Sequence, residues 1–420
     1  EHEYEGYYDW MPELIDYAAE KGVGLIVWAR KANLTDDAYR QKMFKEWADM
    51  GIKGIKPDFF DSQDQETIQL IEKMMEETAE YHLLINVHGA GKPTGERRTW
   101  PHAIAREAVR GAEAYAVDNI DTWGAIMNAH HNCSLPFVRG AVGPMDYTPM
   151  VSYGANDNLT NHNPGRFTVA HMTALPVIYE CGLQCLADKP DVYRAHPGYE
   201  HYFKNMPSEW DEGILIDGYP GDYVNMARRN GDEWYQGIIC DGKLDATFPL
   251  DFLGDGEYVA YIYKDSPEVL EAGPAAYDQF GRHNQDGSNL VVDEETVNSS
   301  IVEEIKVVTK DDTLTIPLAE TRGAAIHYVP KDKVQEQAPA ITEAKLITDR
   351  LIELDWNQDV TGADEKASFQ VMVNGQEAEL NDYGYNAGNG ALYFDQMTTL
   401  ELKDVPAEDA QITVQVVGNV

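Results

Sequence analysis

Side chains able to carry acid, base or nucleophile chemistry stand where apolar segments in the first half of the chain end. The candidates are Asp58 in IKGIKPDF, Asn86 and His88 in HLLINVHG, Glu113 in RGAEAY, and Asp146 in VRGAVGPMDYTP. In an α/β barrel the reacting groups sit at the carboxyl ends of the strands, because the βα loops converge there on one face. We therefore expect these side chains to face a common pocket.

Two carboxylates across a pocket are the minimal equipment for breaking an acetal, since one attacks or stabilises the anomeric carbon and the other protonates the leaving oxygen. A strand-end Asp is more often a helix N-cap or a loop salt bridge. Asp58, however, lies in the apolar context KPDFF. An ionised side chain there must be hydrogen-bonded or functional, and we favour function.

Glu107 and Glu113 lie in REAVRGAE, where helical spacing would separate them by about 600° around the axis. Gly111 more readily breaks a helix before the strand that carries Glu113. Glu107 can pair with a neighbouring Arg or offer oxygen to a hard cation such as calcium, and spacing alone favours the structural role. Trp28 is one of several aromatic residues near strand ends, where a ring can stack on a sugar or simply pack.

Other chemistries have little support. No G-x-G-x-x-G or P-loop follows a strand, and no G-x-S-x-G is present. His130 and His131 are adjacent and would point to different faces of a strand, and there is no H-E-x-x-H, so the sequence does not favour a zinc site.

The elements that must position the candidates alternate between helical periods and short apolar runs, as in parallel strands covered by helices. The strand predictions are residues 23–29, 52–59, 82–89, 111–117, 135–142 and 174–180. Helices are predicted from MPELIDYAAEKG, TDDAYRQKMFKEWADMG and QETIQLIEKMMEETAEY.

Near residue 211 the pattern changes to short strands with turn signals such as RRNGDEW. We predict three domains: a catalytic (β/α) barrel segment over 1–210, an antiparallel β-sandwich over 211–330, and an immunoglobulin-like β domain over 338–420. The predicted fold class is α/β, a partial (β/α)8 TIM barrel followed by all-β sandwich domains.

Composition excludes several partners. Asp and Glu total 72 against 33 Lys and Arg, a formal charge of −39 that repels nucleic acid and anionic membrane surfaces. The 4 cysteines form no C-x-x-C pair, and no apolar stretch reaches the roughly 18 residues of a membrane span. Acidity and an appended β domain favour an extracellular or cell-surface location.

The segments IKGIKPDFFDSQDQE, LLINVHGAGKPTGERRTWPHAIAREAVRGAE and VRGAVGPMDYTP resemble glycoside hydrolase family 97, calcium-dependent exo-α-glycosidases that act on α-glucosides or α-galactosides. The resemblance continues through MPSEWDEGILIDGYPGDYVNMARRNGDEWYQG and covers about residues 10 to 329.

The resemblance implies a retaining α-galactosidase. Asp58 would be the nucleophile, Glu113 the general acid/base and Glu107 a calcium ligand, while the inverting branch has a glutamate where this chain has Gly89. Asn86, His88, Asp146 and Trp28 are the candidates for substrate binding.

Family members begin with a β-sandwich and two barrel strands for which this sequence has no counterpart. A missing N-terminal fragment is therefore an expected partner, since six strands cannot close an eight-stranded barrel. The alternatives are an α-glucosidase of the same family, a catalytically inactive carbohydrate-binding or surface protein, and a transglycosylase that uses the same ester.

Overall fold

The computed structural model describes residues 10–112, 128–149, 168–186, 193, 197–267, 301–334, 340–357, 360, 366–381, 391–394, 397–407 and 409–417. The chain divides into two compact units, Glu1–Lys333 and Val334–Val420. The helices are α1 (Met11–Glu20), α2 (Asp37–Met50), α3 (Gln65–Glu80), α4 (Ala129–Ser134), α5 (Val169–Ile178) and α6 (Pro197–Asn205).

A parallel sheet opens the first unit. Its strands are β1 (Ile26–Arg30), β2 (Gly54–Asp58), β3 (Leu84–Val87) and β4 (Ala103–Arg106), in that order across the sheet. Arg30 lies opposite Asp58 in the β1–β2 register. A further parallel bridge joins Arg106 to Met145, so the chain before Asp146 continues the sheet edge. The carboxyl ends of all these segments therefore meet on one side.

Local signals in the sequence set the helices that cover this sheet. The Asp36 side chain caps α2 by accepting the Tyr39 N–H at 2.8 Å, and Asp64 caps α3 by accepting the Thr67 N–H at 2.8 Å. Gly51 ends α2 with a φ of 101°, in the left-handed region. Arg40 of α2 makes a buried two-bond pair with Glu77 of α3 at 2.5 and 2.7 Å. This pair fixes the two helices against each other.

An antiparallel sandwich follows in the same unit. Its strands are β5 (Glu212–Tyr219), β6 (Tyr223–Asn230), β7 (Glu233–Cys240), β8 (Leu244–Pro249), β9 (Tyr258–Asp265), β10 (Ile301–Val308), β11 (Thr313–Leu318) and β12 (Gly323–Pro330). The larger sheet has the strand order β10, β9, β12, β7, β6, β5, and a two-stranded sheet of β11 and β8 lies against it. Helix α5, buried along its whole length, packs on β7 and β12. Helix α5 is therefore part of the core that joins the site region to the sandwich.

The second unit is all-β. Its strands are β13 (Ile341–Leu346), β14 (Leu351–Trp356), β15 (Phe369–Val373), β16 (Gln376–Glu377), β17 (Ala391–Phe394), β18 (Met397–Glu401) and β19 (Ile412–Val416). They form a four-stranded sheet, β13-β14-β18-β17, and a three-stranded sheet, β16-β15-β19, around one apolar core that includes Leu354, Trp356 and Phe369. Within the described residues, no helix has the length and apolarity that crossing a membrane requires.

Three of the predicted strands are confirmed, with bounds that differ by a few residues: 23–29, 52–59 and 82–89. The prediction for 135–142 is wrong, since Pro136 and Gly140 lie in short 3-10 turns there. The prediction for 174–180 is also wrong, because most of that run belongs to α5. A fully buried helix and a buried strand share the same continuous apolarity. Most of 111–117 lies outside the described residues, and β4 was not predicted.

One buried carboxyl in the sandwich gives a pH-dependent stability. Asp265 is 1% exposed, and the donors near its two oxygens, from Thr168 and the Gly323 N–H, are too poorly placed to offset its burial. Burial raises its pKa to about 7, although Thr168 and Arg322 oppose the shift. The folded state therefore holds a proton on Asp265 that the unfolded chain has lost above about pH 4, so this group costs stability as the pH rises from 4 to 7.

We expect Asp265→Asn to raise the free energy of unfolding at pH 8 by an amount on the order of 1–3 kcal/mol, and the unfolding temperature with it. At pH 4.5 both quantities should be nearly unchanged. Thermal unfolding at the two pH values measures the difference. Asp245→Asn, the same change at an exposed position of β8, is the control. Equal shifts at both pH values would show that Asp265 is ionised in the folded protein throughout.

Candidate active site

One face of the parallel sheet is polar and the other is apolar. Successive side chains of a strand alternate between faces, so Lys56 and Asp58 share one face of β2, and Asn86 and His88 point the same way from β3. The opposite face carries Ile55, Ile85 and Val87, which are buried with the helices in one core. The apolar face packs against the helices. The predicted site residues therefore lie on the polar face.

Two hydrogen bonds and a neighbouring histidine surround Asp58 at the end of β2. It accepts hydrogen bonds from Trp28 Nε1 to Oδ2 at 3.0 Å and from the Phe59 N–H to Oδ1 at 2.5 Å. His88 Nδ1 lies 3.5 Å from Oδ2. The residue is only 8% exposed. This carboxylate is thus fixed in orientation and reachable from one side.

The electrostatics of this pair favour the charged forms. Burial alone would raise the pKa of Asp58, but the hydrogen bonds from His88, Trp28 and Phe59 outweigh it and hold the pKa below its usual value. Burial alone would lower the pKa of His88, but Asp58 and the nearby charges of Glu107 and Asp146 raise it above its usual value. Asp58 is therefore an ionised carboxylate at neutral pH.

Backbone geometry next to Asp58 is unusual. Phe59 has a φ of 60° and Gly89 a φ of 56°, both in the left-handed region. A Cβ on Gly89 would lie 2.7 Å from Asp58 Oδ1 and 2.7 Å from Phe59 N, closer than real contacts allow. Position 89 is therefore glycine because the Asp58 carboxylate occupies the space that a side chain would need.

Asp146 is the centre of a second polar cluster on the same side. Its Oδ2 accepts hydrogen bonds from Asn86 Nδ2 at 2.8 Å and Lys56 Nζ at 3.0 Å, and Cys185 Sγ lies 3.5 Å away. The other end of the His88 ring faces this cluster, with Nε2 3.7 Å from Asp146 Oδ2. His88 thus lies between the Asp58 and Asp146 carboxylates.

Glu107 follows β4 directly. Its Oε2 accepts the Gly89 N–H at 2.7 Å and lies 3.4 Å from His88 Nδ1. Glu107 therefore contacts the site itself, beyond the pairing with a neighbouring Arg that the sequence favours. Among the described residues, no three His, Cys, Asp or Glu side chains are arranged to hold a metal ion.

The predicted residues Asp58, Asn86, His88, Asp146, Trp28 and Glu107 come together at one edge of the sheet. Glu113 lies outside the described residues, and its role stays a prediction. Glu180, the last residue of the strand predicted over 174–180, instead follows α5 and is exposed. Sequence reasoning missed Lys56, although its position two residues before Asp58 places both on one strand face.

Aromatic rings line the approach to Asp58. Trp28 is 46% exposed and Phe59 is 46% exposed, although Trp28 donates to the buried carboxylate. The two rings meet edge to face, with centroids 5.9 Å apart. Two open ring surfaces beside an ionised carboxylate offer apolar contact to a flat-faced polar ligand such as a sugar.

Two family models match the chain. "Glycoside hydrolase 97" matches residues 6–109, which include Asp58, His88 and Glu107, and "Glycosyl-hydrolase 97 C-terminal, oligomerisation" matches residues 209–294. The chain belongs to glycoside hydrolase family 97. The first match spans the parallel sheet through β4 together with the residues around Asp58.

Two curated relatives of the family 97 chain are similar over about two thirds of its length. A probable retaining alpha-galactosidase from Streptomyces bingchenggensis is 34% identical over 63% of this chain and 39% of its own length. A retaining alpha-galactosidase from Bacteroides thetaiotaomicron is 35% identical over 63% of this chain and 40% of its own. This chain therefore matches about two fifths of the length of these relatives.

Solved family 97 structures agree with the fold. A family 97 enzyme from Pseudoalteromonas sp. strain K8, solved in complex with acarbose, superposes with a TM-score of 0.60 at 26% identity. The alignment covers 75% of this chain and 48% of that one. A beta-arabinopyranosidase superposes with a TM-score of 0.60 at 24% identity over 76% of this chain and 48% of its own, which shows a shared fold alone.

We expect Gly89→Ala to abolish most activity without unfolding the protein, because the new methyl group must displace the Asp58 carboxylate. Gly95→Ala is the matched control: Gly95 also has a positive φ, 102°, but a Cβ there meets nothing within 4 Å. Both variants should lose on the order of 1 kcal/mol from backbone strain. Steady-state kinetics measure the loss of activity, and thermal unfolding measures the loss of stability. Equal activity in the two variants would show that a methyl group at position 89 does not displace the Asp58 carboxylate.

Proposed function

We propose that the protein hydrolyses terminal α-galactosides as a retaining exo-α-glycosidase, through a covalent glycosyl-enzyme. The observation that carries the proposal is the ionised, oriented and nearly buried Asp58 at the carboxyl end of β2, inside the segment that matches family 97. The names of the two curated relatives support both the retaining outcome and the galactoside. The matched family and the parallel sheet support a barrel of the (β/α)8 type.

In the first step an oxygen of Asp58 attacks the anomeric carbon, and the bond from that carbon to the leaving oxygen breaks. A depressed pKa suits this role, because the attacking group must carry its charge and its lone pair at working pH. The hydrogen bonds from Trp28 and Phe59 hold the carboxylate in place before attack, so little reorientation is needed. The product of this step is a β-linked ester on Asp58.

Glu113 is proposed to give its proton to the leaving oxygen in the first step and to take a proton from water in the second. That water attacks the anomeric carbon, the ester bond to Asp58 breaks, and α-galactose is released. Support comes from the chain just before it: Ala112 is fully buried, and its N–H donates to Tyr147 O at 2.9 Å. Glu113 thus follows a fixed point that is tied to the Asp146 segment.

Substrate binding is proposed for the remaining side chains of the polar face. Asn86 Oδ1 and His88 Nε2 are buried and have no hydrogen-bond partner among the described residues, so each can bond a sugar hydroxyl. Asp146 accepts hydrogen bonds from Asn86 and Lys56, and its carboxylate also faces the His88 ring. Trp28 and Phe59 supply ring faces. Glycoside and oligosaccharide are accordingly the proposed partners, with calcium as a proposed cofactor near Glu107.

An α-glucoside is the second candidate substrate. It is supported by the Pseudoalteromonas sp. strain K8 enzyme, which was solved in complex with acarbose and, as a variant, with panose, a trisaccharide of glucose. Matched aryl α-galactosides and α-glucosides separate the candidates by the ratio of their kcat/KM values. The acidic composition and the second β unit support an extracellular or cell-surface location as a further proposal.

We expect Asp58→Asn to lower kcat for an aryl α-galactoside by about 10³-fold or more, because an amide cannot form the ester. The control is Asp61→Asn, the same change at an exposed residue whose positive φ, 52°, asparagine tolerates. Steady-state kinetics with sugar binding by calorimetry give both readouts. Sugar binding without turnover in the wild-type protein, unchanged by Asp58→Asn, would instead support the carbohydrate-binding alternative.

A further inference from the structure

A chain of buried hydrogen bonds runs from the site to the sandwich. Tyr147 Oη donates to Asn132 Oδ1 at 2.7 Å, and Asn132 Nδ2 lies 3.1 Å from His171 Nε2. His171 Nδ1 lies 3.3 Å from the carbonyl oxygen of Arg322. Tyr147, Asn132 and His171 are each 0% exposed. Buried polar side chains joined in this way hold one another in a single arrangement.

The direction of each bond in this chain is fixed. Burial lowers the pKa of His171 to about 3, so the ring is neutral and has one donor and one acceptor nitrogen. Nδ1 donates to the Arg322 carbonyl, and Nε2 therefore accepts from Asn132 Nδ2. The Asn132 amide then presents its oxygen to the Tyr147 hydroxyl. Rotating the amide by about 180° would place its oxygen against the accepting Nε2 of His171, so the orientation of Asn132 is fixed.

Asn132 is anchored by its backbone as well. It belongs to α4, and its carbonyl oxygen accepts the Tyr179 hydroxyl at 2.8 Å. The rings of Tyr147 and Tyr179 pack with centroids 4.9 Å apart. The Tyr147 side chain is therefore fixed by a hydrogen bond at its tip and by ring packing along its length.

The backbone of Tyr147 controls the chain immediately before Glu113. Tyr147 follows Asp146, and its carbonyl oxygen accepts the Ala112 N–H at 2.9 Å. A Cβ on Gly111 would lie 2.3 Å from that same oxygen, so the two backbones meet as closely as glycine permits. Any displacement of Tyr147 would move the residue that precedes Glu113.

We propose that Tyr147 and Asn132 are positioning residues for the acid/base carboxyl of Glu113, a role that rests on the proposed function. The role requires no contact with Glu113 or with the reacting atoms, because the two residues act through the backbone of Gly111 and Ala112. A general acid must lie within hydrogen-bond reach of the leaving oxygen, and a displacement of about 1 Å is enough to reduce its effect.

The test compares Tyr147→Phe with two reference variants on two substrates, an alkyl α-galactoside and an activated nitrophenyl α-galactoside. Protonation helps the alkyl leaving group far more than the nitrophenyl group, and kcat/KM reports the step in which that group departs. Glu113→Ala shows the full effect of losing the acid. Tyr328→Phe is the matched control, because its hydroxyl is equally buried and donates to Gln236 Oε1 at 2.6 Å in the sandwich.

We expect Glu113→Ala to lower kcat/KM by about 10³-fold on the alkyl substrate and far less on the nitrophenyl one. Tyr147→Phe should lower kcat/KM by about tenfold on the alkyl substrate and by less than about twofold on the nitrophenyl one. Tyr328→Phe should change kcat/KM by the same factor on both substrates. Asn132→Leu, which removes the same bond from the other end, should repeat the Tyr147→Phe pattern.

If Tyr147→Phe and Asn132→Leu lower kcat/KM by the same factor on both substrates, as expected for Tyr328→Phe, the two residues are structural. The inference is then overturned while the proposed function stands. If Glu113→Ala itself makes no distinction between the leaving groups, the acid/base assignment fails and the inference falls with it. Should Tyr147→Phe not fold, Asn132→Leu decides alone by the same ratio.

Discussion

The structure around the site depends on keeping an ionised carboxylate, Asp58, almost entirely out of water. An isolated buried carboxylate would take up a proton, so the charge survives only because Trp28, the Phe59 N–H and His88 direct donors at it. Those donors come from β1, from the turn after β2 and from the end of β3. Parallel pairing in register is what brings the three segments to one edge, and the helices on the apolar face hold that pairing.

The same constraint explains local features that look unrelated in the sequence. Gly89 is glycine because the Asp58 carboxylate fills the space of a Cβ, and Phe59 takes a positive φ as its N–H turns back onto that carboxylate. Glu107 accepts the Gly89 N–H and lies near His88, so the His88 ring faces the carboxylates of both Asp58 and Glu107, which raise its pKa. Asp146, with Asn86 and Lys56 donating to it, faces the far side of the His88 ring and completes the polar face.

Much of this site could be predicted because its residues lie at the carboxyl ends of strands in a chain with α/β order, where active sites are expected. The segments ending at Asp58 and His88 alternate apolar and polar positions, and the family motifs fall on the same residues. The errors also have physical reasons. Helix α5 is apolar on every side, which periodicity cannot distinguish from a buried strand. Strand β4 is four residues long, and the turns after Leu135 are held by Arg139 donating to backbone carbonyls, which no local pattern reveals.

The anomer of the first product tests most directly whether Asp58 forms a covalent ester. The measurement is proton NMR of an aryl α-galactoside during hydrolysis, recorded before the released sugar mutarotates. Two displacements at the anomeric carbon predict that α-galactose appears first and that Asp58→Asn abolishes its formation. If β-galactose appears first, water attacks the anomeric carbon directly and Asp58 is not the nucleophile.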